Sequence, residues 1–235
     1  MHIISCMSVQ ETPDAKKRDW REKGDALLAK GKYNDAIKAY DKAIKINPRL
    51  SDVWYNKGYA LDILGKLENA IKAFDKAIEI NPQFKNAWLN KGNALVKLGK
   101  FEDAINALDK AIDIKPDSAD AWHNKGVALV GLGKPEDAIK AYSKAIELNP
   151  KDPDAWLNMG AALGILGKLE DAIRALDKAI EINPQDPDVW YNKSNALRLL
   201  GHTKEANEAL VKAKELKHNI SRRTKRTLIR SFRKS

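Results

Sequence analysis

One side-chain amide recurs along this chain at a fixed interval. Asn56, Asn90, Asn124, Asn158 and Asn192 stand 34 residues apart. A primary amide both donates and accepts hydrogen bonds, so a row of them suits a ligand that presents N–H and C=O groups in alternation, above all an extended main chain. Residues that do covalent or metal chemistry are sparse by comparison. His2, His123, His202 and His218 stand at no metal-ligand spacing, Cys6 is the single cysteine, and no phosphate-cradling loop or nucleophile motif occurs. The expectation is a protein without catalytic residues, cofactor, metal or small-molecule substrate.

A second chemistry lies at the C-terminus. Eight of the 42 basic residues follow Glu215, with no acid among them: Lys217, Arg222, Arg223, Lys225, Arg226, Arg230, Arg233 and Lys234. The rest of the chain carries 34 bases against 32 acids, so the formal charge of +10 describes this tail more than the body. Such a run either remains solvated, caps the fold, or contacts RNA, DNA or anionic lipid through phosphate oxygens. At the other end, Met1 to Val9 is mildly apolar but has no positive segment before it and is short for a signal sequence. Ile3-Ile4-Ser5-Cys6 only faintly resembles a lipoprotein box, and Met7 offers an alternative start. No apolar run approaches the roughly 18 residues of a membrane span. A cytoplasmic protein is expected.

The asparagine period belongs to a larger pattern. Trp20, Trp54, Trp88, Trp122, Trp156 and Trp190 share the 34-residue spacing. Four residues after each tryptophan comes Gly24, Gly58, Gly92, Gly126 or Gly160, with Ser194 in the last unit. A later glycine follows (Gly31, Gly65, Gly99, Gly133, Gly167, Gly201), and Pro48, Pro82, Pro116, Pro150 and Pro184 close five units, with His218 in that place in the sixth. The units run 17–50, 51–84, 85–118, 119–152, 153–186 and 187–220, after a leader of 1–16 and before a tail of 221–235 that is either a basic extension or a partial capping helix. Apolar residues follow a helical period on both sides of the late glycine. Acids such as Glu170 and Asp171 open the second stretch, where they suit a helix N-terminus. The Asn-Pro pairs end it. Each unit therefore reads as two antiparallel helices. Its tenth and twentieth positions are alanine in all six copies, which lets the backbones approach closely.

This pattern of Trp, Gly, Ala and Pro over 34 residues resembles the tetratricopeptide family across residues 17–220, with wording such as Trp88-Leu89-Asn90-Lys91-Gly92-Asn93-Ala94-Leu95 similar to archaeal and bacterial members. The resemblance implies an all-α, right-handed superhelical solenoid of six helix-turn-helix repeats acting as a scaffold or adaptor. It departs from the family at the seventh position, where Lys23, Lys57, Lys91, Lys125 and Lys193 replace the usual leucine. The stem is expected to pack while the ammonium reaches water. Both ends turn polar, at Asp19 and Lys30 in the first unit and at Asn207 and Lys214 in the last, as terminal repeats of a solenoid require.

In the family, positions two, five, six, nine, twelve and thirteen commonly face a ligand held against the first helices. That implies a peptide-binding groove with the five asparagines as a ladder, similar to the asparagine ladder of O-linked N-acetylglucosamine transferases. Beside it would lie Tyr55, Tyr59, Leu89, Asn93, His123, Leu157, Tyr191 and Asn195. Its middle would be small and apolar, formed by Val127, Val130, Gly131, Ala161, Gly164 and Ile165. Alternatively the asparagines are repeat consensus and satisfy neighbouring backbone. Asp52, Asp120, Asp154 and Asp188 would rim the groove. They serve the helix dipole, or attract a basic peptide. The family's carboxylate clamp for chaperone tails is not assembled: Arg21, Asp25, Asn56, Asn86 and Asn90 lack its second asparagine and its later bases. The expected partner is a peptide segment of another protein, the expected state a monomer, and the second candidate function is polyanion binding by the tail.

Overall fold

The computed structural model describes residues 13–232, with side chains from Asp19 to Arg222. All regular structure in this range is helical: α1 (Pro13–Ala29), α2 (Tyr33–Ile46), α3 (Ser51–Ile63), α4 (Leu67–Ile80), α5 (Lys85–Lys97), α6 (Phe101–Ile114), α7 (Ala119–Gly131), α8 (Pro135–Leu148), α9 (Pro153–Ile165), α10 (Leu169–Ile182), α11 (Pro187–Leu199) and α12 (Thr203–Phe232). The chain divides into two compact units, Met1–Lys115 and Pro116–Ser235. In each, three hairpins stack. Odd-numbered helices pack on the even-numbered helix that follows, each even-numbered helix packs on the next first helix of its unit, and the first helices touch one another.

The hairpin turn is set by one glycine per repeat. Gly31, Gly65, Gly99, Gly133, Gly167 and Gly201 all adopt positive φ, between 70° and 84°, just past the end of a first helix. Only glycine enters this region without steric penalty, which is why it ends the helix so sharply. At the other end of the repeat, Asn47, Asn81 and Asn183 leave helical geometry and accept a hydrogen bond from the main-chain N–H two residues on. The proline that follows has a second role. Its carbonyl accepts the indole N–H of the tryptophan six residues later, at 2.9–3.0 Å in all five cases (Pro48–Trp54, Pro82–Trp88, Pro116–Trp122, Pro150–Trp156, Pro184–Trp190). The Trp and Pro signatures of the sequence are thus two ends of one bond that clamps each inter-repeat turn.

Tryptophan is not the centre of the core: all six indoles are only half-buried. Among the described residues the five largest fully buried side chains are Tyr40, Phe74, Leu108, Tyr142 and Leu176, one in each of the first five second helices. Each lies flat on the eighth residue of its repeat. A Cβ added at Gly24, Gly58, Gly92, Gly126 or Gly160 would meet Tyr40, Phe74, Leu108, Tyr142 or Leu176 at 2.4–2.7 Å. The sixth repeat has Ser194 there instead, and its partner Leu210 is only partly buried.

The lysines at position seven do more than reach water. Lys57, Lys91 and Lys193 each extend over the tryptophan of the same helix, at 5.1, 5.4 and 5.9 Å from the ring centroid. Each also pairs with an aspartate on the preceding repeat's second helix: Lys57–Asp41 and Lys91–Asp75 at 2.6 Å, and Lys193–Asp177 at 2.5 Å. Where the fifth repeat has Met159 in place of lysine, the aspartate's position is Ser143. Met159 packs among Leu163, Ala172 and Ala175, and Ser143 Oγ donates to the Ile139 carbonyl at 2.8 Å. Loss of the cation is matched by loss of the anion, so no lone charge is left against the interface.

α12 departs from the other second helices. With no Asn-Pro to end it, the helix continues past Leu216, its last buried residue in the described range, as far as Phe232. The leader to residue 12 and the side chains from Arg223 onward, on which the choice between basic extension and capping helix rests, lie outside the described residues.

Two changes test this packing. Gly92→Ala places a methyl group 2.6 Å from Leu108 Cγ, and overpacking of this kind costs about 1–3 kcal/mol. Its urea midpoint should fall clearly below wild type, and an unchanged midpoint would show that the hairpin does not depend on the bare backbone. The Lys91→Met and Asp75→Ser changes should be non-additive. In a double-mutant cycle read by thermal unfolding, a coupling of about 0.2–1 kcal/mol is expected for a partly exposed pair, whereas strict additivity would exclude an energetic role for it.

Candidate binding face

The first helices of each unit carry the asparagines, and within a unit what the amide touches varies with the fifth residue of the repeat before. Where that residue is a polar ring, the amide reaches back to it. Asn90 Nδ2 donates to Tyr55 Oη at 3.0 Å, and Asn158 Nδ2 lies 3.2 Å from His123 Nε2. Where it is leucine (Leu157), the amide turns to its own helix, and Asn192 Nδ2 donates to the Asp188 carbonyl at 2.9 Å; Asn124, in the first repeat of the second unit, likewise donates to the Asp120 carbonyl at 2.8 Å. Asn56, which follows Arg21, donates to Asp25 Oδ1 at 2.9 Å. Each of the five amides therefore uses one N–H inside the fold. Among the described residues none of their Oδ1 atoms accepts a hydrogen bond.

In the first unit this face is tightly tied. Asp25 also accepts from Tyr40 Oη at 2.8 Å, and Arg21 pairs with Asp52 at 2.6 Å, so the first of the four rim acids is already engaged. Burial and the neighbouring Asp25 carboxylate push the Tyr40 hydroxyl far above the usual phenol range, so it stays a donor. Tyr55 is packed between Phe74 and Phe84, at 5.9 and 4.8 Å between ring centroids, and burial raises its pKa as well. Tyr59 is exposed, and Asn93 is partly buried with an Oδ1 that has no partner.

In the second unit His123 joins the fourth repeat to the fifth, the interface at which methionine replaces lysine. Its Nε2 accepts from Asn158, which leaves the proton on Nδ1, facing Asp152 Oδ2 at 3.6 Å. That distance is too long for a hydrogen bond, and Nδ1 is buried without a partner. Asp152 is itself held, because its Oδ1 accepts the Asp154 N–H and caps α9. The ring stacks edge-on against Tyr142 at 5.8 Å. This chain of groups contains no nucleophile, and its geometry is that of a clasp.

The expected apolar middle is only partly assembled. Ala161, Gly164 and Ile165 do line a groove, but with Leu169, Leu176, Asn192, Asn195 and Leu199 rather than with Val127 and Val130. The groove is therefore shifted one repeat toward the C-terminus and measures about 240 Å³. Sequence reasoning missed Leu199. It occupies a ligand-facing position and is 71% exposed, beside Ile165 at 64%. Tyr191 is also exposed, while Leu89 and Leu157 are half-buried. Larger grooves, of 650 and 690 Å³, lie on the opposite face of the first unit, floored by Trp88 and Trp54. Smaller versions recur at Trp156 and Trp190 in the second unit. The two larger grooves are walled by the Lys91–Asp75 and Lys57–Asp41 pairs described above, and the recurrence of a groove beside the tryptophan in four repeats marks it as a product of hairpin stacking. The groove at Gly164 differs from them in having Ile165 and Leu199 as exposed aliphatic walls. Among the described residues no group of three or more His, Cys, Asp or Glu side chains could hold a metal ion, and no helix is long and apolar enough to cross a membrane.

Comparison with known proteins agrees with this architecture. The chain is similar to the crystal structure of YrrB, described as a TPR protein with an unusual peptide-binding site (27% identity, 77% of this chain and 93% of that one, TM-score 0.64). It is also similar to the crystal structure of MamA (26% identity, 73% and 94% covered, TM-score 0.65). PilF of Pseudomonas aeruginosa shares the fold, with 19% identity, 87% and 93% covered, and a TM-score of 0.73. No curated protein sequence matches significantly. A family model matches residues 4–228, that of the cilia and flagella-associated protein 70 C-terminal domain, and the chain belongs to this family of tetratricopeptide arrays.

Proposed function

We propose that this protein is a non-catalytic adaptor of the cytoplasm that holds an extended segment of a partner protein against its first helices. The observation that carries the reading is the state of the five asparagines. Each is anchored by one N–H, which fixes its rotamer, and each keeps an amide oxygen without a partner among the described residues at a 34-residue period. Anchored amides lose little entropy on binding, and preorganisation of this kind favours a main-chain ligand. The reported peptide-binding site of YrrB is in keeping with it. Each new hydrogen bond is worth about 0.5–1.5 kcal/mol net, so affinity near micromolar, about −8 kcal/mol, requires apolar contacts too.

The test uses peptides selected by the full chain from a random twelve-residue display library, then labelled and measured by fluorescence anisotropy. Changing Asn90, Asn124 and Asn158 together to alanine also removes three internal bonds. The triple variant should melt lower yet stay helical, and bind at least tenfold more weakly. Undiminished binding by a helical triple variant would reduce these asparagines to packing residues.

A second reading rests on α12, whose helix continues beyond the repeats into the basic segment, with Arg222 exposed. We propose that it adds weak, sequence-independent polyanion binding through Arg222, Arg223, Lys225, Arg226, Arg230, Arg233 and Lys234. If six phosphates are neutralised, the log–log salt slope should be about −5 on duplex DNA. Equal affinity after removal of residues 221–235 would rule the segment out as the source.

A further inference from the structure

The groove between the fifth and sixth repeats contains a glycine that the fold does not require. Gly164 lies in the last turn of α9 with helical backbone, and a Cβ built on it meets nothing within 4 Å. Gly160, one turn earlier, is the opposite case, since its Cβ would strike Leu176 at 2.7 Å. The other repeats carry Leu28, Asp62, Val96, Val130 and Arg198 at the position of Gly164, so the hairpin accepts large residues there. Glycine inside a helix weakens it relative to alanine. What the missing side chain provides is space, open to the exposed faces of Ile165 and Leu199.

The polar groups at this groove define what fits it. Asn192 has spent its Nδ2 on the Asp188 carbonyl, and Asn195 has spent its Oδ1 on Arg198 Nη2 at 2.6 Å. That leaves Asn192 Oδ1 as an acceptor and Asn195 Nδ2 as a donor, a pair matched to one C=O and one N–H of a main chain. The volume of about 240 Å³ falls below the roughly 300–1,000 Å³ of small-molecule sites, and suits one side chain. Asp154 and Asp188, in the first turns of α9 and α11, are exposed and form no ion pair among the described residues. They carry negative charge at the N-terminal ends of the two helices whose later turns hold Ala161 and Asn192 in the groove.

We propose that this groove is the side-chain selector of the adaptor, taking a branched aliphatic residue (Leu, Ile or Val) of an extended partner segment, with a neighbouring Lys or Arg directed to Asp154 and Asp188. The proposal rests on the peptide-adaptor reading and specifies which residue types the partner must offer. Gly164 is retained for the aliphatic side chain at some cost to the helix, a trade of stability for binding.

The same library peptides test it. Enriched sequences should pair an aliphatic residue with a base. Gly164→Leu, which fills the space, should weaken their binding at least tenfold with circular dichroism unchanged. Gly164→Ala should melt higher than wild type, which shows that the glycine does not serve the fold. Asp154→Asn with Asp188→Asn should lower affinity and flatten its salt dependence. Wild-type affinity in Gly164→Leu, or enriched peptides without an aliphatic residue, would overturn the selector. If binding then still falls in the triple asparagine variant, the adaptor reading stands alone. If no first-helix change affects binding, or the library yields no enriched sequence, both readings fall.

Discussion

In each of the first five hairpins a large side chain of the second helix rests on bare backbone of the first. Tyr40, Phe74, Leu108, Tyr142 and Leu176 occupy the space that a Cβ at the eighth residue would need. This contact brings the two axes close, and the alanines at positions ten and twenty complete the approach. Tryptophan is displaced from the centre and becomes a bracket, with its ring under the lysine of its own helix and its N–H on the carbonyl of the preceding proline. The lysine then stands within reach of the aspartate on the previous repeat. One steric constraint thus positions the core, the turn clamp and the inter-repeat ion pair.

The same logic makes the interfaces similar but not identical. Lysine and aspartate occur together at the interfaces of Lys57, Lys91 and Lys193 and disappear together at Met159 and Ser143. A half-buried lysine stem with no anion would be costly, and so would an aspartate facing a thioether. At that interface the opposite side carries His123, set between Asn158 and Asp152. The fourth and fifth repeats are joined by the Met159 contact on one face and a polar clasp on the other.

The binding face uses what the core leaves over. Its amides are half-committed to the fold, which makes them rigid without exhausting their hydrogen-bonding capacity. The first unit spends Arg21, Asp25, Asp52, Tyr40 and Tyr55 on internal contacts. The second unit leaves Ile165, Leu199, Asp154 and Asp188 unengaged. The polar and charged groups of this face are therefore more fully engaged in the first unit than in the second, although their repeats share one pattern.

The sequence alone determined the helical hairpin, its repeat length and its turns. Those depend on local chemistry: positive φ at Gly31 and its equivalents, the Asn-Pro stop, and apolar period within each helix. It also placed the asparagines on the first helices, because a 34-residue period and a helical repeat suffice for that. The partner of each amide was decided by tertiary structure, since Asn90 meets Tyr55 only when successive repeats stack, and an amide facing leucine turns back on its own helix. The location of the open groove was decided there too. Gly164 is one small residue among many in the sequence, and it opens into a groove because Leu169, Leu176, Asn192, Asn195 and Leu199 of α10 and α11 wall the space beside it. Composition specifies which residues are small, and only packing determines which small residue is buried under a neighbour and which has empty space above it.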